Sequence, residues 1–454
     1  MKRFLCIIVV ITVFILVFSC GCEKNDAETE STATLTTTSS SETPAPETED
    51  SATTVPESSE SETEFTGMIL PDDVLENALE FSKQQLLYTA SIYPYDKFPH
   101  STYTNGDWNP KTDVGLEFEQ EWIEGFFPGC MWYMYELTGE EEWREKAEGW
   151  TANVEWHKNN TSTADIGFRL VCCFGIGYRL LQDEAYKDVL IKGASSLATR
   201  YNYYVHAVRN GDWYRWPEDR SLPAAFTLFN DDIMNVELMF MAGQFNHSVY
   251  TTMALNHCLT TYNDIVREDG GSYHLAEYNA SSGEVLWLHT YQGQGDDTTW
   301  SRGQAWLIYG FTMAYRYTRD PRMLEYAKKV SEYWIENIPE DYVPYWDFQA
   351  DGIPDAEKDS SAAAVTASAF LELSTYCTDQ SEKDKYYEIA VRTLHSLSSP
   401  AYLAQGTDCK AILLHGVGYH PADIEIDVGL IFGDYYYLEA LVRYVNMRDK
   451  GTIF

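Results

Sequence analysis

Two aspartates at the starts of predicted helices are the first candidates for acid/base chemistry. Asp165 lies in TSTADIGFRL and Asp231 in LFNDDIMNVELM, each at the start of a run with apolar residues at three- and four-residue spacing. A single Asp at such a position usually caps free N–H groups or favours the helix dipole. Two carboxylates that face a common site are also the usual equipment for acid/base work on sugars. The residues alone leave both interpretations open.

A polar, aromatic-rich run occupies residues 286–306 and reads LWLHTYQGQGDDTTWSRGQAW. It has neither a strand period nor a helix period before Trp300, where a helix is predicted to begin. An arginine beside indoles suits a carboxylate-bearing sugar, because the planar guanidinium pairs with a carboxylate through two hydrogen bonds and stacks on rings. Gln292 and Arg302 are therefore candidate ligands of such a sugar. Ordinary loop and helix-start roles are the alternative for both.

His274 lies in GSYHLAEYN, which is predicted to be one strand of a short hairpin with its turn at residues 281–283. A lone His in a strand is more often a packed side chain than a catalyst. The run DFQADGIPDAEK begins like a calcium-binding loop, but its twelfth position is Lys358, where a bidentate Glu is required. We expect no metal there and no cofactor, since no nucleotide, dinucleotide or zinc-protease motif occurs in the right context.

About twelve helical segments position these residues. Their starts are predicted near Asp72, Gln120, Glu141, Asp165, Glu184, Asp231, Val249, Trp300, Pro321, Ser361, Glu382 and Asp427. Six helical hairpins in one body predict an all-α fold, an (α/α)6 toroid with an inner and an outer ring and short β-hairpins in the loops. A superhelical solenoid is the alternative, although no repeat of fixed period supports it.

The unusual polar residues fall at the beginnings of the even-numbered helices. Examples are Trp122, Asp165, Asp231, Arg302 and Ser361. Alternate helices of a toroid point the same way, so these positions should converge at one mouth. The sequence therefore predicts a single site there.

Composition limits the partners. The 454 residues carry a formal net charge of −38, which argues against nucleic acid and anionic membrane surfaces. The chain contains 33 Tyr and 13 Trp, a surplus that suits either flat sugar-binding faces or a Tyr-rich helical core. The cysteines beyond the first 22 residues show no paired spacing, so most are expected to be small buried hydrophobes.

The N-terminal segment is typical of export. Residues 1–22 have a Lys–Arg start, an apolar run and a lipobox-like Val-Phe-Ser-Cys, in which Cys20 would carry the lipid. Phe18 is unusual there, so an uncleaved membrane anchor is the alternative. Residues 23–66 are Ser, Thr, Glu and Pro with few apolar residues, which predicts a disordered tether. Residues 67–454 are the predicted catalytic domain, and it should lie outside the cytoplasm, at a bacterial cell surface or envelope.

The motifs resemble those of the unsaturated glucuronyl hydrolases of glycoside hydrolase family 88. The matching stretches are WIEGFFPGCMWYMYELTG at 122–139, DIGF at 165–168, DDIMN at 231–235, QGQGDDTTWSRGQAW at 292–306, YWDFQADGIPDAEKDSSAAA at 345–364 and IFGDYYYLEAL at 431–441. Members of this family act on lyase products whose non-reducing uronic acid has a C4–C5 double bond. They hydrate that enol ether, and the resulting hemiketal opens and releases the next sugar.

The resemblance also implies residue roles. Asp231 matches the general acid/base that protonates C4 and activates water, and Asp165 matches the second essential carboxylate. The positions that match the substrate pocket are His274, Gln292, Arg302 and Trp306, with Trp122 and Trp300 as stacking faces. Phe127 stands where the family usually has a second Trp, which implies a weaker face. The stretch 415-HGVGYHP-421 lacks the Ser/Lys pattern associated with family members that recognise sulfate, and the acidic chain would repel heavily sulfated products. We therefore expect unsulfated or lightly sulfated products as substrates.

Two other functions compete with this one. An unsaturated rhamnogalacturonyl hydrolase would share the toroid and the hydration chemistry but act on pectin-derived products. A tethered, non-catalytic sugar-binding lipoprotein is the alternative from another class, and the presence of both Asp165 and Asp231 speaks against it.

Overall fold

The computed structural model describes residues 68–110, 122–211 and 225–454. The predicted export signal with Cys20, the whole of the predicted tether and the predicted helix start near Gln120 lie outside these residues. Within them, the α-helices are α1 (Asp72–Ile92), α2 (Phe126–Thr138), α3 (Glu141–Val154), α4 (Ile166–Leu170), α5 (Ile176–Leu181), α6 (Glu184–Ala198), α7 (Asp232–Asn235), α8 (Glu237–Gln244), α9 (Ser248–Ile265), α10 (Ser301–Thr318), α11 (Pro321–Asn337), α12 (Ser360–Tyr376), α13 (Gln380–Leu397) and α14 (Ile431–Lys450). None of these helices is both long and apolar enough to cross a membrane.

The helices form two rings, as predicted. The inner ring consists of α2, α4 with α5, α7 with α8, α10, α12 and α14, and each member packs against the next. A π-helical turn, Val171–Gly175, joins α4 to α5. Helix α14 packs against α2, which closes the ring and excludes the solenoid. The (α/α)6 toroid is therefore confirmed.

Burial distinguishes the two rings. The inner helix α12 is buried on all sides from Ser360 to Ser374, and its many alanines let neighbouring backbones approach closely. The outer helix α11 buries only one stripe, which consists of Met323, Ala327, Val330, Ser331, Tyr333 and Trp334. A helix that is apolar all round is enclosed, whereas an amphipathic helix covers a core from outside.

Side-chain caps set several outer helix starts at or within two residues of the predicted positions. Asp320 accepts a hydrogen bond from the Arg322 N–H, and Pro321 follows it in the first turn. Asp379 accepts hydrogen bonds from the backbone N–H groups of Ser381 and Glu382, so α13 begins two residues before the predicted start. The last helix begins at Ile431 instead of near Asp427, because Asp427 belongs to the preceding loop.

Short strands lie in the long connections. They are β1 (Pro99–Thr102), β2 (Trp108–Pro110), β3 (Tyr201–Asn202), β4 (Ala207–Val208), β5 (Ala225–Phe229), β6 (Leu275–Asn279) and β7 (Val285–His289). The last three form an antiparallel sheet in the order β5-β6-β7, and the β6–β7 turn contains Gly283 at φ +76°. Because β5 leads into α7 and β7 leads toward α10, this sheet ties together two of the connections that carry site residues.

A buried ionic network connects the inner helices α8, α10, α12 and α14. Arg316 of α10 donates to Glu372 of α12 at 2.7 and 2.8 Å and to Glu237 of α8 at 2.8 Å. Arg443 of α14 lies 3.2 Å from Glu372 and 3.3 Å from Glu439. Burial alone would raise the pKa of Glu372, but the two arginines outweigh it and lower the pKa to about 2. Each carboxylate in this network therefore has a cation beside it.

Much of the tyrosine surplus belongs to this core. The hydroxyl groups of Tyr133 and Tyr309 donate to Glu439 at 2.7 and 3.0 Å, and both residues are buried. Tyr436 packs edge-on against Trp306 and Tyr309. The six cysteines of the described residues are also buried and form no disulfide. The composition therefore reflects a Tyr-rich core at least as much as sugar-binding faces.

Candidate active site

The N-terminal ends of the inner helices surround a cavity of about 220 Å³. Seven of the eight predicted site residues line it: Trp122, Asp165, Asp231, Gln292, Trp300, Arg302 and Trp306. Aromatic rings from β5, α4, α10 and α14 also line the cavity, among them Phe168 and Phe432. The mouth predicted from helix polarity therefore exists as one concave site.

Asp231 lies immediately before α7 with its carboxylate in the cavity wall. Its Oδ1 atom is enclosed and has no hydrogen-bond partner among the described residues. Burial raises the pKa of Asp231 to about 7, and the nearby charge of Asp165 acts in the same direction, while Arg302 opposes both. A carboxyl group with this pKa carries a proton for a large fraction of the time at neutral pH, so it can act as an acid and then as a base.

Asp232 has a structural role next to it. Its Oδ1 accepts a hydrogen bond from Asn210 Nδ2 at 2.7 Å, and its Oδ2 accepts one from the Phe229 N–H at 2.8 Å. The side chain is fully buried and does not line the cavity. Asp232 therefore holds the end of β5 against α7, whereas Asp231 faces the site.

Asp165 is held in a different way from Asp231. Its carboxylate accepts hydrogen bonds from Thr163 Oγ1 at 2.8 Å and from Asn235 Nδ2 at 3.2 Å. Asn235 also accepts from the Phe168 N–H at 2.9 Å, so one amide links the starts of α4 and α7. A side chain at Gly167 would collide with the Asn235 backbone. Close contact between the two helix starts thus places both carboxylates at one cavity.

Arg302 lines the cavity and already forms hydrogen bonds within the protein. Its Nη1 donates to Asp359 Oδ2 at 2.7 Å and to the Val417 carbonyl, and its Nη2 donates to the Gly418 carbonyl at 2.6 Å. The guanidinium also lies 4.6 Å from the ring centre of Trp300. Arg302 therefore fixes the loop after residue 415 as well as facing the cavity.

Ser361 was expected at the same mouth, but it is not there. It is fully buried, and both its N–H and its hydroxyl donate to Asp359 Oδ1, at 3.0 and 2.6 Å. Phe127 is also buried away from the cavity, where it packs edge-on against Trp150, so the expected weaker stacking face is absent. Position at a helix start does not decide which way a side chain points.

His274 lies behind the cavity wall and does not line the cavity. Its Nδ1 accepts hydrogen bonds from the backbone N–H groups of Tyr291 and Gln292, both at 3.0 Å, and its ring lies 4.7 Å from that of Trp300. Burial lowers the pKa of His274 to about 3, with Arg302 contributing in the same direction. A neutral imidazole with Nδ1 as acceptor is therefore fixed here, and it positions two residues that do line the cavity.

The calcium-like run has a structural role. Asp347 accepts hydrogen bonds from the Gln294 N–H at 3.0 Å, the Thr298 hydroxyl at 2.7 Å and the Gln349 N–H at 2.9 Å. Across the described ranges, no group of three or more His, Cys, Asp or Glu side chains is arranged to hold a metal ion. Asp347 thus folds the loop that precedes Trp300.

Sequence reasoning missed the contribution of a hairpin, residues 415–428, and of β1. The cavity is also lined by His100, Asn210, Tyr291, Tyr419, Ile424 and Glu425. The ring of Tyr419 lies 4.7 Å from that of Tyr291, and Gln292 donates to the Gly418 carbonyl at 3.0 Å. Arg302 holds this hairpin at the site by donating to the backbone carbonyls of Val417 and Gly418, more than a hundred residues away. Because backbone carbonyls are present in every residue, the sequence carries no pattern that predicts this contact.

The chain is also similar in sequence to known proteins. The model of glycosyl hydrolase family 88 matches residues 96–400. An unsaturated glucuronyl hydrolase of Formosa agariphila is 40% identical over 336 residues, which cover 73% of this chain and 82% of the relative. An unsaturated chondroitin disaccharide hydrolase of Streptococcus pyogenes is 30% identical over 334 residues, 71% of this chain and 81% of the relative.

A solved structure is also similar. The crystal structure of an unsaturated glucuronyl hydrolase specific for heparin superposes with a TM-score of 0.77 at 36% identity. The match covers 83% of this chain and 98% of that chain. Sequence and structure agree over nearly the whole toroid, and the chain belongs to glycosyl hydrolase family 88.

Proposed function

We propose that this glycoside hydrolase acts on oligosaccharides whose non-reducing end is a Δ4,5-unsaturated glucuronic acid, the products of polysaccharide lyases. The observation that carries the proposal is Asp231, whose enclosed carboxyl group has a pKa near 7 in a cavity lined with indoles.

The proposed chemistry is hydration of the C4–C5 enol ether. Asp231 in its protonated form donates a proton to C4, and water adds at C5 with loss of a proton to the Asp231 carboxylate. The product is a hemiketal at C5, which opens to a ketone and releases the next sugar. Each cycle returns the proton to Asp231, so one residue serves as acid and base and no covalent intermediate with the protein forms.

The other residues would bind and orient the uronate. Asp165 is placed to accept hydrogen bonds from ring hydroxyls, and its charge helps keep Asp231 protonated. Trp122, Trp300 and Trp306 supply aromatic faces for the sugar ring. Arg302 at the start of α10 would attract the uronate carboxylate, and the positive end of the helix dipole acts in the same direction.

One assay tests this function directly. The conjugated double bond of an unsaturated uronate absorbs in the ultraviolet, and hydration removes that absorbance. We expect its loss with unsaturated glucuronyl disaccharides and much slower loss with unsaturated rhamnogalacturonyl products. Faster turnover of the pectin-derived products would assign the rhamnogalacturonyl activity instead. Binding without turnover of any of these products would leave only the sugar-binding alternative.

We also propose that the protein is exported and held at the membrane by lipid on Cys20, which the lipobox-like residues Val17 to Cys20 support. Residues 23–66 would then act as a flexible tether, and proteases should remove them without loss of activity. A Cys20→Ala variant should leave the membrane fraction of expressing cells. Retention of that variant in the membrane would assign anchoring to the uncleaved apolar segment.

A further inference from the structure

A buried cluster of three hydrogen-bonded side chains, Glu124, His157 and Arg169, lies next to the cavity. The three come from the residues before α2, from a 3-10 helix (Glu155–Asn159) and from α4. His157 Nε2 lies 2.5 Å from Glu124 Oε2, and Arg169 Nη1 donates to His157 Nδ1 at 3.0 Å. His157 and Arg169 are buried, and the Glu124 side chain is 14% exposed. None of the three lines the cavity, so the cluster can act on a substrate there only through other residues.

The partners of His157 fix its hydrogen-bonding roles. A guanidinium only donates, so His157 Nδ1 is an acceptor. Burial lowers the pKa of His157, and the charge of Arg169 acts in the same direction, so the ring is neutral and carries its hydrogen on Nε2. This Nε2–H group donates to Glu124. Burial raises the pKa of Glu124 to about 7, although Arg169 opposes it, and the carboxyl group has an oxygen that can accept the hydrogen bond in either protonation state.

The buried cluster joins the starts of two inner helices that carry cavity residues. Glu124 follows Trp122 by two residues and lies just before α2. Arg169 belongs to α4, and Asp165 lies immediately before that helix. The Arg169 N–H donates to the Asp165 carbonyl at 3.1 Å, so a single helical turn connects the cluster to the site carboxylate.

The two helix starts are in direct contact at this place. A Cβ atom at Gly125 would lie 2.5 Å from the Arg169 carbonyl oxygen, so a larger residue could not fit without a backbone shift. The Trp122 ring packs edge-on against Phe168 at 5.3 Å, and both rings line the cavity. Hydrogen bonds fix distance and direction more narrowly than apolar contact does. The buried cluster therefore defines how the two helix starts are oriented relative to each other.

We propose that Glu124 is a positioning residue, which keeps Trp122 and Asp165 in the arrangement that binds the unsaturated uronate. It acts through His157 and Arg169, from outside the cavity. The inference rests on the proposed function and adds to it a residue that sets the affinity for the substrate. Trp122 is a proposed face for the sugar ring and Asp165 a proposed acceptor for its hydroxyl groups. Displacing them should therefore weaken binding more than it slows proton transfer, and the effect should appear in KM.

The experiment compares full-length wild type and variants on the unsulfated disaccharide of unsaturated glucuronate and N-acetylgalactosamine. Glu124→Leu removes the acceptor for His157, and Glu124→Ala, which adds no apolar bulk, replaces it if the Leu variant does not fold. Glu124→Gln keeps an acceptor for Nε2–H. His157→Gln keeps the whole cluster, because its amide can accept from Arg169 and donate to Glu124.

Glu136→Leu is the matched control. Glu136 lies near the C-terminal end of the same helix, α2, and pairs with Arg179 of α5 at 2.6 Å. Since α5 continues α4 through the π-helical turn, this ion pair joins the same two inner elements at their opposite ends. Thermal unfolding gives the folded fraction of every variant, and kcat is expressed per folded molecule.

We expect Glu124→Leu to raise KM about tenfold, the effect of about one lost hydrogen bond, with kcat within about threefold of wild type. Glu124→Gln and His157→Gln should both keep KM within about threefold of wild type, because the hydrogen bonds of the cluster are retained. Glu136→Leu should lower the melting temperature but leave KM within about twofold, since it lies far from the cavity.

A wild-type KM in the folded apolar variant of Glu124 would overturn the inference. So would an equal rise of KM in Glu136→Leu, or a fall in kcat that exceeds the rise in KM. An equal rise of KM in both glutamine variants would also overturn it, because the hydrogen bonds would then not be what positions the site. Lack of turnover of the disaccharide by wild type would instead contradict the proposed function, and the inference with it.

Discussion

Buried carboxylates have opposite surroundings in two regions of the inner ring, the ionic network and the cavity. In the ionic network, Arg316 contacts both Glu237 and Glu372, and the pKa of Glu372 falls to about 2. At the N-terminal ends, Asp231 has an oxygen without a partner among the described residues, and its pKa rises to about 7. Glu372 is thus kept ionised in the network, whereas Asp231 is kept near its titration point in the cavity.

An aromatic layer separates the two regions. Trp306 packs 5.4 Å from Phe168 and 5.3 Å from Tyr436, between the cavity and the ionic network. This layer keeps the arginines of the network away from the cavity, where they would lower the pKa of Asp231. Stability and chemistry therefore both use buried carboxylates, but the carboxylates of the two regions require different neighbours.

The largest expected effect concerns Asp231. Asp231→Asn should lower kcat by about 10²–10⁴, because an amide cannot donate the proton to C4, while thermal stability stays at or above that of wild type. The measurement is loss of ultraviolet absorbance together with a thermal melt. Asp232→Asn is the control, and it should reduce stability more than kcat, since it disturbs acceptors for Asn210 and Phe229. Wild-type turnover in Asp231→Asn would remove the assignment.

A substitution in the ionic network should reduce stability and leave kcat nearly unchanged, the reverse of the effect expected for Asp231→Asn. Arg316→Met should lower the free energy of unfolding by about 3–5 kcal/mol, because it leaves the buried Glu237 without its cation and Glu372 with Arg443 alone. Urea denaturation measures this change. The kcat per folded molecule should stay within about twofold of wild type at low temperature. A large loss of kcat in fully folded Arg316→Met would mean that the two regions are coupled through the aromatic layer.

Arg302 combines a structural and a substrate-binding role, since it pairs with Asp359 and also faces the cavity. Arg302→Lys should raise KM by a factor that corresponds to roughly 1–3 kcal/mol, because it loses the planar fork and the stacking surface. A methyl ester of the substrate should be poor with wild type and nearly indifferent to the substitution. If the acid and the ester respond equally, Arg302 holds the hairpin and another group reads the carboxylate.

The pH dependence tests the electrostatics of the cavity. Protonated Asp231 is the proposed active form, so kcat/KM should fall as the pH rises through about 7. The residual activity of Asp165→Asn should show this fall at lower pH, because a neighbouring negative charge that favours protonation is gone. A pH profile of kcat/KM from 5 to 9 measures both. A fall at the same pH in both proteins would show that burial alone sets the pKa.

The smallest effect is expected at the base of the 415–428 hairpin. His415 Nδ1 lies 2.5 Å from Asp427 Oδ1 on the protein surface; this hydrogen bond raises the pKa of His415 and lowers that of Asp427. The pair stabilises the fold when His415 is charged and Asp427 ionised, so its contribution disappears as the pH rises through the raised histidine pKa. Asp427→Asn should cost at most about 0.5 kcal/mol at pH 6 and nothing at pH 9. A larger cost, also present at pH 9, would point to a role in backbone geometry.

Local patterns were enough to predict the toroid and most of the helix starts. Three- and four-residue spacing reports which face of a helix is buried, and caps such as Asp320 with Pro321 act within one turn of the chain. Helix polarity then placed Asp165, Asp231 and Arg302 at one mouth, since alternate helices of a closed ring point the same way. These inferences need only interactions between residues close in the sequence and the geometry of the ring.

Side-chain direction and long-range contacts could be decided only by the tertiary structure. Asp231 and Asp232 are adjacent and identical in type, yet only the contacts of Asp232 with Asn210 and Phe229 leave Asp231 facing the cavity. Ser361 lies at a predicted helix start but points to Asp359. Glu425 enters the cavity because Arg302 binds carbonyls of its hairpin 115 and 116 residues away. Such contacts depend on through-space distances, which no local periodicity encodes.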